Sequence, residues 1–467
     1  MTFNIKIRQL LQEIKDALKG EEHDYTQGNL RRAVFLLSVP MVLEMMMESV
    51  FAIVDIFFVS KLGADAIATV GLTESVITII YSVAVGLSVA TGAIVSRRIG
   101  EGKEKKAAQS GYQAIVAGIA ISLLIAVPGV LFAKDILRMM NASETIVNEY
   151  SGFMSIMFGS NVVIILLFIN NAIFRSAGNP ALSMKVLFLA NFINIILDPI
   201  FIFGLGPIPA FGVMGAAIAT TTGRGIAVIF QFYLLLKGSG KIKMKGINLM
   251  PNFKLIGKIL NLSVGTVSQY IVAQSSWIIL MRFVAVYGSE VLAGYTIAIR
   301  ILIFALLPGS GISNAASTLV GQNLGANNPE RAEKSALIAT KVNVVLMGIV
   351  SVFLILWPES FIGMFTTNDL IIASGGSSLR IVSIGLIVYG LGMVLVNVFN
   401  GAGDTRTPFL INIFAFWIIE IPLAWLLSSF TGWEQNGVFI AIVIAESMMT
   451  FTTLFFFKKG NWKLKEV

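Results

Sequence analysis

Cysteine is absent from this chain, and histidine occurs once, as His23. Disulfides and thiolate metal sites are therefore excluded, and a lone imidazole offers no metal-ligand spacing. Charge is also scarce: Asp, Glu, Lys and Arg make up 13% of the 467 residues, where a soluble domain carries about 25%. A phosphate loop is missing. The nearest string, IGEGKEKKA at 99–107, lacks the upstream Gly and the hydroxyl residue after the Lys. These absences argue against an enzyme and against an ATP-driven pump, and no cofactor is expected.

What is present is apolar. Hydrophobic residues make up 56% of the chain, and the mean hydropathy is +0.83. At roughly 20 apolar residues per crossing, twelve segments emerge, near 34–60, 66–95, 107–134, 147–174, 182–203, 212–237, 255–287, 291–320, 331–357, 377–402, 408–430 and 436–458. The chain reads as an all-α polytopic membrane protein. Several segments exceed 25 residues, so tilt, kinks or extensions into water are expected. The first residues, FNIKIRQLLQEIKDALK at 3–19, have no continuous apolar run and are not a signal peptide. Ile7, Leu10, Leu11, Ile14 and Leu18 share one helical face, which suits a membrane-surface helix or a solvated extension.

Lys and Arg are distributed unevenly over the connections. Of the 34, 27 fall on one set of loops and termini, against Lys61, Lys134 and Arg138 on the other. The positive-inside rule places both termini in the cytoplasm of a multi-pass protein of the inner (plasma) membrane. The net charge of +8 follows from that topology and implies no nucleic-acid partner. Membrane lipids and small molecules are the expected partners, and the chain reads as a monomer.

The chain repeats itself at an offset of 225 positions. Phe58, Val59, Gly63 and Ala68 then meet Phe283, Val284, Gly288 and Ala293; Gly86, Ser88 and Ala90 meet Gly311, Ser313 and Ala315; Phe174, Ala177 and Gly178 meet Phe399, Ala402 and Gly403. One constant offset over six spans implies a duplicated half. An even number of spans per half makes the two six-helix repeats parallel, an arrangement suited to a pathway that opens alternately to each side. The expected organisation is a segment at 1–33, an N-lobe at 34–237, a basic linker at 238–254, a C-lobe at 255–458 and a tail at 459–467.

The first span, PMVLEMMMESVFAIVD at 40–55, contains three acids. Glu44, Glu48 and Asp55 lie within about 40° of one another at 100° per residue, so they share a face. Three ionised groups would cost about 8–10 kcal/mol against lipid, so this face must look into a polar cavity. In the fifth span, NFINIILDP at 191–199, Asn191, Asn194 and Asp198 also share a face, and Asp198 sits at a depth similar to Asp55. Asn170, Asn171 and Thr220 to Thr222 add polar atoms nearby. Two carboxylates with an amide and a hydroxyl form a hard oxygen site that suits either H⁺ or Na⁺. Glu44, nearer the basic end, is expected either to line the same cavity or to be solvated.

The second half does not repeat this chemistry: Leu280 stands opposite Asp55, Ala273 opposite Glu48, and Leu423 opposite Asp198. Ion coupling is therefore expected in the N-terminal half alone. Glu420 and Glu446 are the acidic exceptions of the second half, expected either to pair with Arg300 or Arg282 or to serve function. Met41, Met45, Met46 and Met47 offer an adaptable wall of the kind promiscuous sites use, and buried acids would attract organic cations.

The RSAGNP turn (175–180), its partner NGAGDTRTP (400–408), NIILDPIF (194–201) and VDIFFVSKLGADAIA (54–68) together resemble the multidrug and toxic compound extrusion (MATE) family over residues 30–458. The likeness is to the prokaryotic branch with its acidic pair in the first and fifth spans. The resemblance implies a V-shaped, bilobed carrier that exports organic compounds by antiport. It places cation-coupling roles on Asp55 and Asp198, with Asn194 and Thr220 beside them. Pro40 would be the hinge of a bending first helix. Glu48 and Asn171 would line the cavity, to which Met45, Phe51, Gln269 and Gln274 are also assigned. Glu48 departs from the pattern, since an amide is more usual there. Another branch uses an acid in the seventh span, where this chain offers Gln269 and Gln274 instead. The serious alternative is a flippase of lipid-linked saccharides from the same superfamily, which would want a more cationic cavity than this one.

Overall fold

The computed structural model describes residues 2–20, 23–238 and 240–467. Its helices are, in order, α1 Thr2–Lys19, α2 Leu30–Val59, α3 Ala64–Gly100, α4 Glu104–Leu131, α5 Ala133–Met139, α6 Ser151–Gly159, α7 Asn161–Ser176, α8 Pro180–Phe203 and α9 Val213–Lys237. The second half continues with α10 Phe253–Ala285, α11 Ser289–Gly325, α12 Pro329–Leu356, α13 Pro358–Gly363, α14 Asp369–Ala402, α15 Arg406–Asn412, α16 Ile421–Phe430 and α17 Gln435–Lys459. Two wider π-helical stretches, Ile146–Tyr150 and Ile413–Glu420, join onto α6 and α16.

Eleven helical segments among the described residues are long and apolar enough to cross a membrane. The 30-residue α2 is a twelfth long helix, reaching about 45 Å at 1.5 Å per residue. The chain is therefore a multi-pass membrane protein. At 37 residues, α3 and α11 are about 55 Å long and must project beyond a hydrocarbon layer of about 30 Å. The duplication is visible in the helix limits themselves. Shifted by 225, Ala64–Gly100 becomes Ser289–Gly325 and Glu104–Leu131 becomes Pro329–Leu356. The short α5 likewise falls on α13.

Local chemistry sets many of these ends. Pro180, Pro329 and Pro358 stand in the first turns of α8, α12 and α13, where a missing N–H costs nothing. The Asn328 side chain accepts from the Arg331 N–H and caps α12. Gly403 closes α14 in the left-handed region, with φ of 87°. Pro40 is treated differently: α2 begins ten residues before it, at Leu30, so the helix runs through the proline.

The chain divides into two compact units, Met1–His23 with Leu43–Val264, and Asp24–Val42 with Gly265–Val467. In the first, α3 packs on α7 and α4, and α8 packs along α9. α1 docks on α8, where the Lys185 ammonium and the Asn179 amide donate to the Lys19 and Gly20 carbonyls. Of its expected apolar face, the side chains of Ile7 and Leu10 lie outside the described residues, while Leu11 is exposed. The basic connection after α9 is tied down: Gln109, Tyr112 and Gln113 of α4 donate to the carbonyls of Asn248, Leu249 and Met250. In the second unit α14 is central, packed against α11, α12 and α17. Its chain end is anchored by Trp462, fully buried and stacked on Phe457.

Candidate ion and substrate site

The acidic stripe of α2 runs through the first unit, and each acid meets a different environment. Asp55 lies four residues before the end of α2, and Asp198 five before the end of α8. Asn194 and Asp198 are fully buried, and Thr220 of α9 nearly so. The Thr220 hydroxyl donates to Asp55 Oδ2 at 3.1 Å, and the Asn194 amide donates to Asp198 Oδ1 at 3.2 Å. Asn194 Nδ2 lies 3.5 Å from Thr220 Oγ1, closing the cluster. The two carboxyls lie near enough to act on each other directly. Asn191, one turn earlier on the same face of α8, donates to the Met47 carbonyl and fastens α8 to α2.

Packing makes this geometry. Gly215, Ala219 and Gly223 recur every four residues along α9, the small-residue spacing that lets helices approach closely. A Cβ on Gly215 would lie 2.2 Å from the Phe201 carbonyl oxygen of α8, and one on Gly223 would lie 3.0 Å from that of Ala190. The close approach is what brings Thr220 to Asn194.

Three oxygens in this cluster have no donor: Asp55 Oδ1, Asp198 Oδ2 and Asn194 Oδ1 are buried without a hydrogen-bond partner. Unpaired buried acceptors are costly, and a proton or a small hard cation would satisfy them. The donor set therefore fits H⁺ or Na⁺.

Glu48 is partly buried and faces Arg224 of α9, with Nη2 to Oε2 at 3.7 Å. Arg224 is almost wholly buried; it donates to the Tyr81 hydroxyl at 2.7 Å and stacks 4.3 Å above the Phe51 ring. The sequence reading left Arg224 unassigned, although its place one turn after Thr220 puts both on one face of α9. Its charge offsets the extra acid at Glu48 and acts on Asp55 as well. Phe51 is thus covered by a guanidinium. Met41 is fully buried, Met45 partly buried and Met46 exposed, so the four methionines do not form one continuous wall.

Glu44 is not solvated, which corrects one of the two sequence expectations for it. It is 1% exposed and bonded to Arg175 at 2.6 Å and to the Asn171 amide at 3.1 Å. Arg175 also donates to Ser88, while Gln231 donates to Asn171 and accepts from Asn170. The physical reason is that α7 brings a cation from the RSAGNP turn back against α2, so the acid is neutralised by a buried ion pair. Asn171 belongs to this network and does not touch the Asp55 cluster.

In the second unit Gln269 forms a reciprocal amide pair with Asn400 and also donates to the Thr405 carbonyl, which uses its polar head fully. Gln274 is exposed, so the structure does not bring the two together. Glu420 and Glu446 are buried, but Arg282 and Arg300 are exposed and form no ion pair with them among the described residues. The expected pairing fails because those arginines lie on outward faces of α10 and α11.

The MatE family model matches twice, over residues 40–200 and 266–426, once per half. The chain belongs to the MatE family. It is therefore a transporter and not an enzyme. Among relatives, the Probable multidrug resistance protein YoeA of Bacillus subtilis is 24% identical over 444 residues, covering 93% of this chain and 95% of its own. The FAD transporter of Shewanella oneidensis is 23% identical, with 92% and 94% covered. A solved structure of a MOP-superfamily transporter from Pyrococcus furiosus, described as having a binding pocket of reversed polarity, superposes with a TM-score of 0.89 at 24% identity. That match covers 96% of this MatE chain and the whole of the other, and it shows the shared fold.

Proposed function

We propose that this MatE protein is a secondary exporter of cationic or amphipathic organic compounds, an antiporter in which H⁺ or Na⁺ bound in the N-lobe drives alternating access. The observation that carries the reading is the Asp55–Asp198 cluster. It holds a fully buried carboxylate, Asp198, beside a partly buried one, Asp55, with one donor each and three orphan oxygens. The other two acids of the stripe already have arginine partners, which leaves this pair to take the coupling cation. The relative described as a probable multidrug resistance protein supports the substrate class.

In this mechanism, arrival of the cation at Asp55 and Asp198, held by Asn194 and Thr220, withdraws the negative charge that retains a cationic substrate. Cation release on the other side restores that charge and permits loading. Pro40, which removes one N–H from the ladder of α2, serves as the hinge through which occupancy at Asp55 bends the helix. Met45, Phe51 and Glu48 contribute apolar and charged contacts for the substrate. The basic connections and both termini face the cytoplasm of the plasma membrane, and the monomer is the transporting unit.

The test is reconstitution into vesicles with a fluorescent cationic dye such as ethidium, imposing a pH gradient or a Na⁺ gradient separately. Accumulation driven by one of the two gradients is expected and identifies the ion. Absence of dye movement under either gradient, with folded protein, would replace the exporter by the flippase reading.

A further inference from the structure

The second unit buries two carboxylates that the coupling mechanism does not use. Glu420 closes the π-helical stretch Ile413–Glu420 and is fully buried. The widening is written in the backbone, where the Ile421 N–H reaches five residues back to the Phe416 carbonyl. Pro422 contributes by withholding an N–H from the carbonyl four residues before it. The extra residue per turn sends Trp417 and Ile418 outward, about half exposed or more, and rotates Glu420 inward.

Once inside, Glu420 is half satisfied. Its Oε2 accepts from the Ser276 hydroxyl of α10, which also faces the Phe416 carbonyl. Its Oε1 has no partner at all. Glu446 of α17, itself nine-tenths buried, lies near enough to act on Glu420 electrostatically. The other titratable groups facing the pair are phenols: Tyr295 from α11, Tyr389 from α14 and, beside Tyr389, Tyr270 from α10. Among the described residues no Lys, Arg or His acts on either acid. Apolar groups close the two ends. Phe416, Ala415 and Met449 belong to one buried cluster, and Ala424, Phe439 and Ile442 to another, with the acids between them in chain order.

Charge balance decides the occupant. Two anions at this depth with no counter-cation cost several kcal/mol on insertion scales, and two carboxylates sharing a site do not both ionise. Glu44 and Glu48 solve the same problem with Arg175 and Arg224; Glu420 and Glu446 have no such partner. One proton pairs the orphan Oε1 and removes one of the two uncompensated charges.

We propose that Glu420 and Glu446 form a second proton-binding site, housed in the C-lobe, that loads and releases a proton independently of Asp55 and Asp198. Loading adds H⁺ from water to one carboxylate, and the neutral acid then donates toward its neighbour. The site goes beyond the N-lobe coupling reading and does not depend on it.

The experiment is infrared difference spectroscopy of the purified full-length protein in lipid nanodiscs, following the protonated-carboxyl C=O band from acidic to alkaline pH. Wild-type protein is compared with E420Q, E446Q and the D55N/D198N double variant. Gln mimics the neutral acid, so the fold is expected to persist, and circular dichroism and gel filtration verify it for each protein. The expected result is a pH-dependent band component that survives in D55N/D198N and is lost in E420Q or E446Q. Spectra of folded E420Q and E446Q that match wild type would overturn the proposal. If E420Q does not fold, the E446Q spectrum alone decides by the same criterion. Loss of the component on adding NaCl at fixed pH would assign the site to Na⁺ and overturn the proton reading. Failure of dye transport in the vesicles leaves this measurement untouched, so the two readings fail separately.

Discussion

Glu48 and Arg224 face each other across α2 and α9, and their pairing sets how much uncompensated negative charge surrounds Asp55. With this pair and the Glu44–Arg175 pair intact, the acids left without an arginine partner are Asp55 of α2 and Asp198 of α8. Removing one partner of a buried pair strands the other charge, at a cost of about 3–5 kcal/mol. Arg224→Met is therefore expected to lower the melting temperature sharply, and adding Glu48→Gln to restore most of the loss. A double variant no more stable than Arg224→Met would show that the two do not act as a pair. The same logic applies to Glu44 and Arg175, the shorter and more buried bridge. The residues of the Asp55–Asp198 cluster stood out in the sequence, because polar atoms at three- and four-residue spacing are conspicuous in an apolar helix. Their neutralising partners were not, since Arg175 and Arg224 lie more than a hundred residues from their acids and nothing in local spacing sets the register between distant helices.

Helix packing positions the site at the next scale. α8 and α9 touch along Gly215, Ala219 and Gly223, and Thr220 meets Asn194 only because the backbones are this close. Gly215→Ala places a methyl group against the Phe201 carbonyl and is expected to cost about 1–3 kcal/mol, the usual penalty of overpacking, while weakening the response of transport to the ion gradient. Gly225→Ala, which meets nothing within 4 Å, serves as the control and should be neutral or slightly stabilising. Equal melting temperatures for the two variants would contradict this account of the seam. Span limits were readable from hydropathy to within a few residues for most helices. The tenth span was the exception, starting at Asp369 and not near 377, because the small residues Gly375 and Gly376 lower hydropathy where α14 packs closely on α11. The π-helical widening at Glu420 was also not readable, because Pro422 reads equally as the first-turn proline of an ordinary helix.

The duplicated architecture shows in the whole chain, where the family model matches each half and equivalent helices share their limits at one offset. Duplication preserved the scaffold and let the chemistry diverge. Leu280 occupies the place of Asp55, while Glu420 and Glu446 have no acidic counterpart in the first half. The uneven Lys and Arg distribution makes a topology prediction that this chain is suited to test, since it has no native Cys. Lys103→Cys and Lys241→Cys should react with an impermeant thiol reagent only from the cytoplasmic side, and Lys61→Cys only from outside. Labelling of all three from one side would overturn the orientation.

The central claim is that Asp55 and Asp198 carry the coupling cation. The most direct measurement compares wild type, Asp55→Asn and Asp198→Asn in the same vesicles, with dye binding and gradient-driven dye uptake read in parallel. The account predicts that each variant, which keeps one acid of the pair, binds dye more weakly than wild type and loses uphill movement by at least tenfold. Gradient-driven uptake that survives in both would contradict it and move the coupling site elsewhere in the molecule.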